Sequence, residues 1–375
     1  MMWGMQISRR ALLGGMAAGL SGCAVRRNTI PVSPMARIAP VKVSRDRVIR
    51  TIVGLRPYRP SGFVVRGEKL GEKTLIHNYG HGGAGITLSW GTSQLAVEEA
   101  AKSEARDCAV LGCGVVGLST ARLLQLRGYT PTIYAKEVSP LVTSNIAGGL
   151  WDPVTVYERP RITPEFQRQF AEASRIAFRR YQSLAGDVYG VQWMPLYHLA
   201  TDGPRAVPPA ESPYAPVQAL YPEAKQLTAA ESPFDVPYVH RQYSMLIEPA
   251  IYLAALTRDF LLAGGKIVIR EFQAPEELIG MRENLLFNCT GLGAGKLFGD
   301  TEIIPIRGQL TFLLPQPEVQ YMTVGPGDGY MFPRHDGILL GGTHERGDWN
   351  LEPDQATIDR VLREHAELFA KVRRG

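Results

Sequence analysis

Three glycines have the spacing of a nucleotide-binding turn. Gly112, Gly114 and Gly117 follow a short apolar strand-like run and open an amphipathic helix-like stretch. In such a turn the first glycine permits a tight bend, and the second lets the backbone approach the phosphate. The third lets the helix pack closely against the strand. Unpaired N–H groups at the helix start face the pyrophosphate, which predicts contacts from Val115 and Val116.

An acidic residue stands at the distance that a dinucleotide site requires. A second strand-like run, TPTIYA, ends just before Lys136 and Glu137. Glu137 lies 20 residues beyond Gly117, about where an acid holds the adenosine ribose. The succession of strand, glycine turn, helix, strand and acid predicts a Rossmann-type dinucleotide-binding domain.

The stretch that follows favours a flavin over a nicotinamide. Residues 139–153 read SPLVTSNIAGGLWDP, a loop of small residues with two hydroxyls and two glycines. Such a loop can lie flat along a flavin and its diphosphate. The predicted contacts are Thr143, Ser144, Gly148, Gly149 and Leu150.

Six stretches together resemble the D-amino-acid oxidase family and cover most of residues 50–350. They are GCGVVGLSTARLL, YAKEVSPLVTSNIAGGLW, LFNCTGLGAGKL, IRGQL, GLRPYRP and HNYGHGGAGITLSWG. The resemblance implies FAD as the cofactor. It also implies an α/β fold, with a Rossmann-type FAD-binding domain joined to a β-rich mixed-sheet substrate domain.

The order of these stretches differs from the order in that family. There, GLRPYRP and the HNYGHGG stretch close the chain, whereas here they precede the nucleotide-binding turn and are joined to it by AAKSEARD. The end of this chain, 357–375, resembles the family segment that leads into GLRPYRP. The sequence therefore looks circularly permuted, and domain termini often lie close enough together to be rejoined. A fusion or misassembled reading frame would duplicate or lose motifs, but each occurs once.

The resemblance also implies roles at the reacting end of the site. Arg56 is the expected carboxylate ligand, since a guanidinium can donate two parallel hydrogen bonds to a carboxylate, and Arg59 is the alternative. Tyr330 matches a second carboxylate contact, and the Gly83 carbonyl would accept from the substrate amine.

A helix that begins in the HGGAG segment is expected to face the flavin. Its N–H groups would point at the pyrimidine edge, where reduction places negative charge. The predicted contacts are Gly82, Gly83, Gly85, Ile86 and Thr87, with Phe272 placed on the adenine side by the resemblance.

Two positions depart from the family pattern. Pro326 stands where animal family members carry a lid tyrosine, so the turn before Tyr330 is predicted to be a short, rigid lid. Lys136 stands where the family often has an acid, which moves the ribose contact to Glu137. Hydride transfer needs alignment over the flavin rather than a lid residue, so the first departure bears on substrate range.

These residues predict FAD-dependent oxidative deamination of D-amino acids to 2-oxo acids, ammonia and hydrogen peroxide. The alternative is a glycine- or sarcosine-type FAD dehydrogenase that passes electrons to a membrane acceptor. A non-catalytic protein that retained the fold is the third class. The expected partner is a small-molecule amino acid, and the sequence does not indicate an oligomeric state.

Composition argues against other partners. The chain of 375 residues is 45% apolar and carries 41 Lys and Arg against 36 Asp and Glu, a mild excess of +5. No basic run interleaved with aromatics marks a nucleic-acid surface. No CxxC or His-carboxylate set suggests a metal, and Cys108, Cys113 and Cys289 are interpreted as small apolar side chains.

The first 22 residues are interpreted as an export signal. Arg9 and Arg10 precede an apolar run shorter than the roughly 20 residues that span a bilayer, and they resemble a twin-arginine start. LSGC resembles a lipoprotein box that would acylate Cys23. We therefore expect an exported bacterial protein, periplasmic or membrane-anchored, whose only membrane contact is a lipid on Cys23, with 23–47 as a tether.

The motifs divide the remaining chain into interleaved parts. The expected FAD-binding domain comprises 48–153 and 241–300. The expected substrate domain comprises 154–240 and 301–375.

Overall fold

The computed structural model describes residues 37–101 and 103–373. The predicted export signal, Cys23 and the tether up to residue 36 lie outside these residues. Within the two ranges, no helix has both the length and the apolar character needed to cross a bilayer.

Residues 37–47 pack against the domain, so the predicted tether does not include them. Val41 is 5% exposed and joins an apolar cluster with Tyr321. The Lys42 N–H donates to Gln316 Oε1 at 2.8 Å, and Gln316 Nε2 donates to the Lys42 carbonyl at 3.1 Å. The lack of periodicity suggested a free spacer, whereas backbone hydrogen bonds hold this segment in place.

The described ranges form fifteen strands and eight α-helices. The strands are β1 (Val48–Tyr58), β2 (Val64–Leu70), β3 (Lys73–Tyr79), β4 (Asp107–Leu111), β5 (Thr130–Ala135), β6 (Val191–Ala200), β7 (Lys225–Leu227), β8 (Tyr238–Ile247), β9 (Lys266–Ile269), β10 (Leu285–Asn288), β11 (Ile304–Leu313), β12 (Met322–Val324), β13 (Tyr330–Arg334), β14 (Gly337–Gly341) and β15 (Glu345–Arg346). The helices are α1 (Gly85–Ala100), α2 (Val115–Leu126), α3 (Pro164–Ser183), α4 (Ala215–Gln218), α5 (Pro249–Leu262), α6 (Glu276–Ile279), α7 (Gly293–Phe298) and α8 (Gln355–Ala370).

A six-stranded sheet has the order β2-β3-β10-β4-β5-β9. All its strands run parallel except β2, which pairs antiparallel with β3. The strand β10 and residues 108–111 of β4 are buried throughout, as expected for apolar runs covered on both faces. Helices α1, α2 and α5 contribute to the core on one face, and α6 and α7 contribute to the core on the other. This sheet is the predicted Rossmann-type unit.

A nine-stranded mixed sheet has the order β1-β11-β14-β13-β12-β6-β8-β7, with β15 also paired to β11. One face carries an apolar cluster that includes Leu196, Leu310 and Phe332. The other face packs against α8, whose buried Ile358 and Val361 follow helical spacing. The Asp354 carboxylate begins α8 by accepting the Thr357 N–H at 2.7 Å.

The two sheets confirm the predicted fold class, but the strands divide differently from the predicted domain boundaries. The strand β1 falls in the predicted FAD-binding range 48–153, yet it pairs with β11 in the nine-stranded sheet. Most of β8 falls in the predicted range 241–300, yet it pairs with β6 in the same sheet. Strand partners depend on contacts across the whole chain, which local motifs do not reveal.

Candidate active site

One cavity of about 760 Å³ lies at the carboxyl ends of the parallel strands and extends to the nine-stranded sheet. Ligands of open α/β sheets bind in the crevice outside these strand ends. Every site residue predicted from the sequence lines this cavity except Gly117 and the alternative carboxylate ligand Arg59. The predicted residues therefore converge, although they come from opposite ends of the chain.

The glycine turn has the predicted steric construction. Gly112 has φ +106°, and a Cβ there would lie 2.5 Å from the Cys289 carbonyl oxygen. A Cβ on Gly117 would lie 2.0 Å from the Gly112 oxygen, so Gly117 acts in packing α2 against the turn and lies behind the cavity wall. Gly114 leaves the space before α2 open, with Ser144 Oγ as the nearest atom to a Cβ, at 3.1 Å.

The residues around the start of α2 could hold a phosphate group. Val115 and Val116 open the helix and line the cavity, and the Val115 N–H donates to Ser144 Oγ at 3.0 Å. Ser144 and Thr143 belong to a single 3-10 turn, Thr143–Ile146. The positive end of the α2 dipole therefore faces the cavity next to a hydroxyl pair.

The predicted adenosine end lies beside β5 and β9. Glu137 and Lys136 follow β5, are exposed, and line the cavity. Phe272 follows β9 and lines the cavity, with the Arg270 guanidinium 4.4 Å from its ring centre. An acidic side chain and an aromatic ring are thus available to a ribose and a base.

The loop of small residues passes between the two sheets. Gly149 has φ +96°, and its carbonyl accepts the Ile247 N–H at 2.7 Å. A Cβ on Gly149 would meet the Ile247 oxygen at 2.1 Å, and one on Gly148 would meet the Phe332 ring at 2.9 Å. Leu150 then lines the cavity. Only glycines allow the loop to approach the sheet this closely.

The start of α1 also faces the cavity. Gly82, Gly83, Gly85, Ile86 and Thr87 line it, and the helix begins at Gly85 without a side-chain cap. The Gly83 N–H donates to the Thr155 carbonyl at 3.0 Å, and a Cβ on Gly82 would collide with that oxygen. This turn aims the positive end of the α1 dipole into the cavity.

Arg56 and Tyr330 meet at the opposite end of the cavity. Arg56 Nη2 donates to the Tyr330 hydroxyl at 3.5 Å, and Nη1 donates to the Thr343 carbonyl at 3.3 Å. A Cβ on Gly308 would lie 2.5–2.7 Å from three guanidinium atoms of Arg56. A Cβ on Gly341 would similarly overlap the Tyr330 ring. Two glycines on neighbouring strands therefore make room for the pair.

Arg59, the alternative carboxylate ligand, is fully engaged elsewhere. Its Nε donates to Asp300 at 2.7 Å and its Nη2 donates to Glu302 at 2.6 Å. Its Nη1 donates to Ser61 and Gly62, each at 2.9 Å. Arg59 does not line the cavity, so the geometry favours Arg56.

Two histidines and two thiols at or near the cavity have pKa values shifted toward their neutral forms. Burial lowers the pKa of His81 to about 3, and its Nε2 lies 2.8 Å from Thr92 Oγ1. Partial burial and the neighbouring Arg56 charge lower the pKa of His344. Burial raises the pKa of Cys113 to about 11 and that of Cys289 to about 12. Both thiols are free, as predicted, and they stay protonated at neutral pH.

Sequence reasoning missed Trp349 and Leu351, which also line the cavity. They lie between β15 and α8, and both are more than half exposed. The only signal in the sequence is two large apolar residues within the polar stretch GDWNLEP.

The cavity fits FAD. Gly112 and Gly117 allow close backbone packing in the turn, and the space at Gly114, before α2, is open. The start of α2 beside that space suits a pyrophosphate, and the start of α1 suits a reducible ring. Among the described residues, no group of three or more His, Cys, Asp or Glu could hold a metal ion.

Comparison with known proteins agrees with this geometry. Residues 27–99 and 107–374 match the family model described as FAD dependent oxidoreductase. The chain is 30% identical over 269 residues to D-amino-acid oxidase from Rubrobacter xylanophilus, and the aligned region covers 70% of this chain and 77% of that protein. It is 30% identical over 260 residues to D-aspartate oxidase from Homo sapiens, covering 68% and 73%.

A solved structure shows the same fold. Glycine oxidase from Geobacillus kaustophilus aligns with a TM-score of 0.51 and 17% identity, over 71% of this chain and 78% of that chain. The family match spans both segments that contribute the cavity residues. The predicted cofactor is therefore confirmed: this chain belongs to the FAD dependent oxidoreductase family, and it is an oxidoreductase that uses FAD.

Proposed function

We propose that the chain oxidises D-amino acids to 2-oxo acids, with release of ammonia and hydrogen peroxide. The observation that carries this proposal is the meeting of Arg56 and Tyr330 in the cavity that the glycine turn also lines. The relatives described as D-amino-acid oxidase and D-aspartate oxidase act on α-amino carboxylates of one handedness, and they support the same substrate class here.

The chain's own residues would bind and orient the substrate. The Arg56 guanidinium would grip the α-carboxylate through two parallel hydrogen bonds, and the Tyr330 hydroxyl would donate a third. The Gly83 carbonyl would accept from the amine. FAD supplies a two-electron acceptor for the α-hydrogen as hydride, and the imino acid product is then hydrolysed by water.

The preference for one enantiomer of the substrate would follow from these contacts to its carboxylate and amine. With the carboxylate and amine held, only one enantiomer presents its α-hydrogen to the ring. The starts of α1 and α2 would stabilise negative charge on the ring and on the pyrophosphate, respectively. A neutral amine needs no further general base in this scheme.

A panel of D- and L-amino acids added anaerobically to the holoenzyme tests the proposal through bleaching of the flavin absorbance. We expect D-enantiomers to bleach it and their L-counterparts to leave it oxidised. Admitting oxygen should restore the colour and release hydrogen peroxide. Bleaching by L-enantiomers would contradict the proposed handedness, and bleaching by amines without a carboxylate would contradict the role of Arg56. Bleaching without peroxide would favour the dehydrogenase alternative.

Gly308→Ala is expected to weaken substrate binding while leaving FAD bound. The added Cβ would overlap the end of the Arg56 side chain, which can swing aside without a backbone shift. We expect KM for D-alanine to rise by about 10-fold or more, since a fixed two-bond contact is lost. Steady-state kinetics and the flavin-to-protein ratio measure the two effects. An unchanged KM would show that Arg56 does not set substrate affinity.

We also propose that the chain is a circular permutation of the family order. The family match is interrupted only at 100–106, within the connector AAKSEARD, which supports the proposal. A variant that joins residue 373 to residue 37 by a short linker, which keeps the packed segment 37–47, and opens the connector should retain FAD and activity. Its failure to fold would contradict the proposal.

Export and lipidation remain proposals supported by Arg9, Arg10 and the LSGC box. Mass spectrometry of the mature chain should find Cys23 as an acylated N-terminus. An unprocessed Met1 would contradict both.

A further inference from the structure

Three apolar side chains of the cavity are more than half exposed and have no role in the scheme above. Leu141 is 70% exposed, Trp349 is 62% exposed and Leu351 is 59% exposed. Leu141 lies in the loop that carries Ser144, at the pyrophosphate end. Trp349 and Leu351 follow Thr343, whose carbonyl accepts from Arg56. Two of the three therefore belong to the segment that continues from the substrate end.

The segment 347–354 is held in place by β11. Arg307 is 3% exposed, and its guanidinium donates to the Asn350 carbonyl at 2.8 Å and to the Glu352 carbonyl at 2.6 Å. The Gln309 side chain donates to the Asp354 carbonyl at 2.9 Å. Together with the Gly347 N–H, which donates to the Pro305 carbonyl at 2.8 Å, these hydrogen bonds bracket Trp349 and Leu351, and both residues line the cavity.

The charges of the cavity indicate which substrate side chains suit this end. Among the described residues that line it, the Lys and Arg side chains are Arg56, Lys136 and Arg270. The last two lie at the adenosine end, beside Glu137 and Phe272. The α-carboxylate would occupy Arg56, and Arg307 lies outside the cavity lining with its guanidinium bonded to backbone carbonyls, so the described lining residues at this end offer a side-chain carboxylate no second cation. Acidic residues flank the exposed pair in sequence, at Asp348 and Glu352.

We propose that Trp349 and Leu351 form the side-chain end of the substrate site and select D-amino acids with apolar side chains longer than that of alanine. Packing such a side chain on the exposed indole removes apolar area of both partners from water, and the gain grows with side-chain length. Acidic D-amino acids are rejected for lack of a cation. This inference rests on the proposed function and adds the substrate class.

Kinetics of the holoenzyme with D-alanine, D-leucine, D-phenylalanine and D-aspartate test the inference. The wild type should prefer D-leucine and D-phenylalanine, with kcat/KM for D-aspartate lower by about 100-fold or more. Trp349→Ala should lower kcat/KM for the two large apolar substrates by about 10- to 100-fold through KM, as expected for lost packing of several methylene groups. The same variant should keep D-alanine within about 3-fold, because that side chain is too short to reach the indole.

A matched pair of leucine variants distinguishes an effect on substrate selection from a general loss of protein stability. Leu351→Ala should lower the ratio of kcat/KM for D-leucine to that for D-alanine, whereas Leu141→Ala should leave that ratio unchanged. Equal losses for all substrates, or the same ratio in both variants, would overturn the inference. A wild type that prefers D-aspartate would also overturn it.

If no D-amino acid bleaches the flavin, the proposed function is wrong. A binding measurement then still tests the inference about Trp349 and Leu351. Acetate, 3-phenylpropanoate and succinate are titrated into the oxidised holoenzyme, and the flavin spectrum reports each Kd. We expect 3-phenylpropanoate to bind most tightly, and Trp349→Ala to remove its advantage over acetate. Tighter binding of succinate, or an advantage that survives in Trp349→Ala, would contradict the selection of apolar side chains.

Discussion

Replacing Arg56 with alanine is expected to lower kcat/KM for a D-amino acid by about 10²- to 10³-fold, which corresponds to about 3–4 kcal/mol. The half-buried guanidinium faces Tyr330, and it is the one Lys or Arg side chain among the described residues that line that end of the cavity, so the α-carboxylate would lose this cationic partner. Steady-state kinetics with several D-amino acids measure the loss, and flavin content shows whether the cofactor site survives.

Two lysine variants distinguish the geometry of Arg56 from its charge. Arg56→Lys keeps the positive charge but loses the planar guanidinium, so we expect its kcat/KM to lie between the values of the wild type and of Arg56→Ala. Arg59→Lys makes the same change three residues away, where the side chain pairs with Asp300 and Glu302. It should lower the thermal midpoint and leave KM unchanged. Equal increases in KM for both variants would refute the assignment of Arg56.

The nucleotide-binding turn could be predicted from the sequence because its requirements are local. Gly112 and Gly117 each meet a steric demand set by backbone of the turn itself or of the residue that follows the adjacent strand β10. Only glycine satisfies such demands, so the spacing alone identifies the element. The parallel pairing of β4 with β10 agrees with the buried apolar runs of these two strands.

The pairing of Arg56 with Tyr330 could not be derived from local pattern. The two residues are 274 positions apart, and they meet because β1 and β13 lie in the same sheet. The resemblance to a family supplied both residues, while local reasoning had grouped β1 with the FAD-binding unit. Strand partners in a mixed sheet are set by the packing of the whole chain, which single motifs do not encode.

Trp349 and Leu351 show why specificity is harder to predict than cofactor binding. Their role depends on a loop that Arg307 holds by donating to backbone carbonyls. Every residue has a backbone carbonyl, so the sequence does not indicate which ones accept these hydrogen bonds. An exposed tryptophan in a polar stretch is the only visible signal, and exposed apolar residues are common on protein surfaces.

Gly117→Ala is expected to abolish stable FAD binding, with less than about a tenth of the wild-type flavin retained after purification. The added Cβ would lie 2.0 Å from the Gly112 carbonyl oxygen and 3.6 Å from the Cys289 Cβ. The closest atoms belong to backbone rather than to a flexible side chain, so α2 must move away from the turn. That movement would withdraw the start of α2 from the expected position of the pyrophosphate. Visible absorbance per chain and the thermal midpoint with added FAD report the loss.

Gly128→Ala provides the control at the other end of the same helix. Gly128 also has a positive φ, +78°, but a Cβ there would meet no atom within 4 Å. The substitution should therefore destabilise the fold by about 1–2 kcal/mol, the cost of a left-handed conformation, and leave the flavin content unchanged. Because α2 stays in place in this variant, only a steric effect at the turn separates the two results. If Gly117→Ala retained as much flavin as Gly128→Ala, close packing of α2 on the turn would not be what holds the pyrophosphate.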